Sequence, residues 1–141
     1  MFNLFRRRKI DLKKTAKLYN DIGVAAVERI GSVDTKFLLY VEINEDSVSS
    51  FFCHATNESQ VVDSLPSDDR VSLAIWALRS YLESVGAQHV WKSMEYVADY
   101  GEIDTVLLYD TPFAGAELAL WEKTPALLEK HFPGKPHRPQ S

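Results

Sequence analysis

KFLLYVEINEDSVSSFFCHA, residues 36–55, decides the fold. Its first eight residues set Phe37, Leu39, Val41 and Ile43 on one side and Leu38, Tyr40 and Glu42 on the other. That period of two is a strand with one buried face and one mixed face. Asn44-Glu45-Asp46-Ser47 interrupts it as a polar turn, and VSSFFCHA resumes an apolar, β-rich run, so the stretch predicts a hairpin.

Outward from the hairpin the period changes. Leu12, Ala16, Tyr19, Ile22, Ala26 and Ile30 fall on one stripe of a helix that Gly31 is placed to end. Residues 56–66 read as a connector. Ser67 is the expected N-cap of a second helix, with Asp68 and Asp69 in its first turn and Val71, Ala74, Ile75, Leu78, Leu82 and Val85 along its stripe. WKSMEYVADYGEIDTVLLYD, residues 91–110, gives two β-rich runs around Tyr100-Gly101-Glu102, a second hairpin. Residues 114–132 follow a helical pattern that Thr124-Pro125 can break and restart.

The order α-β-β-α-β-β-α predicts an α+β domain with a mainly antiparallel sheet of about four strands and helices packed on it. Its expected extent is residues 15–133, between a basic leader (1–14) and a flexible tail (134–141). The expected core is Leu39, Val41, Phe51, Ile75, Leu78, Leu82 and Leu118, with Trp91 packed inside.

At 141 residues, 45% of them hydrophobic, the chain suits one globular domain. No apolar run is long enough to span a bilayer. A single cysteine, Cys53, excludes an intramolecular disulfide and fits a reducing cytoplasm. The net charge of -4 is unevenly spread: residues 1–17 carry seven bases and one acid, residues 18–110 five bases and sixteen acids. So acidic a body repels phosphate backbones and attracts basic partners; the bland alternative is an ordinary solvated surface. The bases at 6–9 follow Phe2, Leu4 and Phe5, the reverse of a secretory signal.

Catalytic and metal motifs are weak. Cys53 and His54 are adjacent on a strand, so their side chains point to opposite faces and cannot form an ion pair with each other. His54, His89, His131 and His137 occur singly, without metal-ligand spacing, and the glycines form no phosphate loop. Glu95, Asp99, Glu102 and Asp104 are dense enough for an acid–base or cation-binding reading, although carboxylates at a hairpin usually serve solvation. No catalytic residue, metal or cofactor is assigned. Trp76, Trp91, Tyr96, Tyr100 and Tyr109 are core candidates that would equally suit a protein interface.

In order, KLYNDI, LLYVEINEDSVSSFF, LRSYLESVG, WKSMEYVADYGEIDTVLLYD and LWEKTPALLEKHFPG resemble the YezG-like immunity proteins, which neutralise polymorphic toxins of bacteria. The resemblance covers roughly residues 15–134, and the Trp-x-x-Met-x-Tyr, Gly, Tyr-Asp run is its most telling piece. The leader and tail find no counterpart in it. The resemblance implies a cytoplasmic, non-catalytic protein that binds one cognate toxin. The nucleases among such toxins need a basic surface, which agrees with the acidic body. A regulatory or adaptor domain that binds another protein or ligand is the alternative, and a carboxylate-dependent enzyme a third.

Chain direction locates the expected partner surface. If the first strand rises and the second descends, the 67–85 helix, about 28 Å long, climbs back and the third strand descends. The two hairpin tips then sit at opposite ends. The lower end would gather Asp63, Asp68, Asp69, Asp99, Tyr100, Glu102 and Asp104, against Glu45, Asp46 and Asp110 above.

Overall fold

Asp11 starts the first helix. In the computed structural model, which describes residues 9–32, 34–56 and 61–138, its carboxylate accepts hydrogen bonds from the Lys13 and Lys14 amides at 3.0 and 3.1 Å. Helix α1 runs Leu12–Ile30 and ends on Gly31, whose φ of 91° is the left-handed cap that glycine adopts freely. Its apolar stripe buries Ile22, Ala25 and Ala26. The helix approaches the sheet closely at Gly23, where a Cβ would lie 2.4 Å from the Tyr96 hydroxyl.

The quoted hairpin forms as β1 (Lys36–Ile43) and β2 (Val48–Thr56), with Phe37 opposite His54 and Ile43 opposite Val48. The second hairpin forms as β4 (Ser93–Asp99) and β5 (Glu102–Leu108), with Asp99 opposite Glu102. Tyr100 and Gly101, at φ 51° and 91°, make the two-residue turn with both φ positive that matches the twist of a hairpin. After β2, the expected connector contains a strand, β3 (Val61–Pro66), antiparallel to β2. A two-residue β6 (His137–Arg138), parallel to β3, lies where a flexible tail is expected. The sheet order is β5-β4-β1-β2-β3-β6, antiparallel throughout its first five strands.

Helix α2 (Asp69–Val85) is capped by Asp68, whose carboxylate accepts from the Val71 amide at 3.0 Å; the expected cap, Ser67, instead meets the Ser50 hydroxyl at 2.6 Å. It lies antiparallel to α1: Arg70 pairs with Glu28 at one end, and the Tyr81 hydroxyl accepts from the Asp11 amide at the other. Buried Arg79 ties it to the first hairpin tip by donating to the carbonyls of Glu45 and Ser47.

Helices α1 and α2 cover one sheet face, and a segment ending in α3 (Thr124–His131) covers the other. Because both faces are covered, Leu38 and Tyr40 are as fully buried as Leu39 and Val41. The larger core holds Leu39, Val41, Ile75, Leu78, Leu82 and Trp91, with the Trp91 indole donating to the Tyr19 hydroxyl at 3.0 Å. The smaller core, on the α3 side, takes Cys53, Leu127 and Phe132, with Phe51 half-buried at its margin. Leu118 is exposed, contrary to expectation. The pattern over 114–132 yields only a short 3-10 turn (Leu120–Lys123) and α3, because Ala114 and Gly115 take positive φ and Ala119 is extended, so helical structure begins at Leu120. No described helix is long and apolar enough to cross a membrane.

Candidate functional site

The two hairpin tips lie at opposite ends of the sheet, since Glu42, just before the first tip, is level with Ser93, while Lys36 is level with Asp99, just before the second. Asp99, Tyr100, Glu102 and Asp104 therefore share one end, all exposed, with Tyr100 at 69% exposure. Asp99 and Glu102 face each other across the ladder, and Asp104 follows two residues on, so the three carboxylates occupy the α3 face of the β4–β5 ribbon. Beneath them is a groove of about 420 Å³, closed on its far side by Lys36, Lys130 and His131. Among the described residues, none of the three acids is ion-paired, whereas Glu28, Glu42, Glu83 and Glu95 all are.

The other acids expected at this end stand apart. Asp63 does lie at this end, level with Ala98 through His54 and Phe37, but it is on β3, three strands from β4 and therefore about 14 Å away across the sheet. Its side chain lies outside the described residues. Asp68 and Asp69 follow Pro66, which is level with Phe51 and so with Tyr40, four residues and about 13 Å along β1 from Lys36. The insertion of β3 causes this separation, because it carries the chain part-way back along the sheet before α2 begins. Asp68 is also engaged as a cap.

Glu95, read with the hairpin acids, belongs elsewhere. It points into the sheet's α3 face and is 1% exposed. Its Oε1 meets Lys130 Nζ at 2.7 Å and His131 Nε2 at 2.6 Å, and its Oε2 is buried without a described hydrogen-bond partner. Burial alone would raise this carboxyl, but the hydrogen bonds from His131 and Lys130 hold it below the usual carboxylate range. Two strand positions away, buried Glu42 accepts from Tyr40 at 2.5 Å and pairs with the fully buried Lys123. Burial, then the hydrogen bond to Glu42, pushes the Tyr40 phenol well above its ordinary value.

Sequence patterns do not reveal this buried polar layer: His131 reads as a lone histidine, and Lys123 and Lys130 carry no motif. Its signal was the pair of glutamates on one face of otherwise apolar strands. Chemically the layer fastens the 120–131 segment to the sheet, Glu42 through Lys123 and Glu95 through Lys130 and His131.

Elsewhere the site chemistry is plain. Cys53 is buried and its thiol is pushed up to about 11 by burial, the opposite of an activated thiolate. Among the described residues, no group of three or more His, Cys, Asp or Glu is placed to hold a metal ion. No family model matches this chain, and no curated protein matches it either.

Proposed function

We propose that the chain is an immunity protein that binds a cognate bacterial toxin domain in the cytoplasm. The toxin is a nuclease, and the chain neutralises it by covering the basic surface that the nuclease turns toward its substrate. The observation that carries this reading is the set of carboxylates at Asp99, Glu102 and Asp104, unpaired among the described residues and grouped with the exposed Tyr100 on one hairpin. Exposed acids steer a basic partner at long range, and an aromatic anchor supplies contact energy once it arrives. The acidic middle of the chain and the resemblance to YezG-like immunity proteins point the same way. A surface of standard size, about 800 Å² on each partner, would extend from this tip over the β5 edge.

The test is co-expression with the protein encoded by the adjacent upstream gene. Growth rescue together with co-purification supports immunity. Co-purification with a neighbour that is not toxic would make the chain an adaptor, and neither result would end the docking reading.

A further inference from the structure

Among the described residues, β5 is the outermost strand on its side of the sheet and pairs only with β4. In a two-residue hairpin the residues flanking the turn exchange both ladder bonds, and bonding alternates from there. Glu102, Asp104 and Val106 therefore turn their amides toward β4, while Ile103, Thr105 and Leu107 turn theirs outward from the sheet. The side chains of the latter three face α1, opposite Ala98, Tyr96 and Met94. Between them and α1 lie two adjoining hollows of about 390 and 480 Å³, sharing Asn20, Tyr96 and Ile103. Val24 and Ile103 stand half exposed on either side, at 48% and 52%. The other face of the same edge carries Glu102 and Asp104.

We propose that the β5 edge receives an extended strand of the basic partner, paired through the outward amides of Ile103, Thr105 and Leu107. The added strand alternates: apolar side chains enter the trough beside α1, and Lys or Arg side chains meet Glu102 and Asp104 on the opposite face. The charge selects this occupant over a second copy of the chain, because β5 against β5 would bring two acidic rows onto one face. The inference rests on the docking reading above and adds the mode of contact.

The probe is an acetylated, amidated heptapeptide, Lys-Val-Lys-Val-Lys-Val-Lys, titrated into the 15N-labelled full chain. Pairing slows amide exchange at Ile103, Thr105 and Leu107, and affinity falls at least tenfold when the three valines are N-methylated or the order becomes Lys-Lys-Val-Val-Val-Lys-Lys. Thr105→Pro, at an outward amide that β4 does not use, should weaken the alternating peptide equally with little change in melting temperature. If Thr105→Pro unfolds β5, the N-methylated peptide still decides the matter on the wild-type chain. Equal binding of all three peptides, no binding of the alternating one, or self-association that protects the same three amides would each overturn strand addition. Growth rescue by the chain tests immunity separately and is untouched by those failures.

Discussion

His131 Nε2 lies 2.6 Å from Glu95 Oε1, so the last residue of α3 is fastened to the middle of β4 across the sheet's second face. The neighbouring Lys130 bonds the same oxygen, which makes Glu95 the hub of that attachment. Glu95→Gln keeps the shape and removes the charge, and should lower stability by about 2 kcal/mol as charge-assisted bonds are lost. A denaturant melt within ~0.5 kcal/mol of wild type would mean that α3 is held by packing alone.

The same contact sets a pH dependence. The Glu95 carboxyl titrates below its ordinary 4.5 in the folded chain. Between that lowered value and 4.5 the unfolded chain binds more protons than the folded one, so stability falls as pH falls. The contribution is complete above about pH 5 and is lost as pH drops through the folded value. Wild type minus Glu95→Gln should therefore show a stability difference that shrinks on acidification below pH 4.5. A difference flat from pH 6 to 3 would remove Glu95 as its source.

Lys123 is fully buried against Glu42. Lys123→Met strands that carboxylate and should cost ~3–5 kcal/mol, whereas adding Glu42→Gln should recover most of the loss. A double-mutant cycle with purely additive losses would show that the two residues are not coupled.

The strands were legible where turn chemistry framed them. Asn44 to Ser47 and the Tyr100-Gly101 pair mark both hairpins, and Leu39, Ile75 and Leu78 fell in the core as their periodicity requires. β3 is hidden because Asp63, Ser64 and Pro66 dilute its pattern; Pro66 is tolerated because, among the described residues, β6 pairs β3 only at Val62 and Asp63, which leaves Pro66 at an edge. Missing β3 misplaced Asp68 and Asp69 relative to the second hairpin, since a local sequence pattern does not report where a returning strand deposits the next helix. The third layer was also hidden: Leu38, Tyr40 and Glu42 read as a mixed face, and only the packing of α3 turns that face inward.

Asp68 separates capping from docking. Asp68→Ala should cost ~1 kcal/mol through loss of the bond to the Val71 amide and leave partner association unchanged. A large fall in association rate with full stability would bring the start of α2 into the interface.

In the larger core, Leu78→Ala should destabilise by ~2–5 kcal/mol, lost burial and a cavity acting together. A loss under ~0.5 kcal/mol in a denaturant melt would contradict its place there.

Reversing the charge of Asp99, Glu102 and Asp104 together tests the docking surface most directly. All three are exposed and unpaired among the described residues, so the triple lysine variant should keep its fold and melting temperature. Its association with the product of the adjacent upstream gene, followed by stopped flow across a salt series, should slow more than tenfold at low salt and lose its salt dependence. Growth protection should disappear with it. Wild-type association, wild-type salt slope and full protection in the folded variant would place the interface away from this end of the sheet.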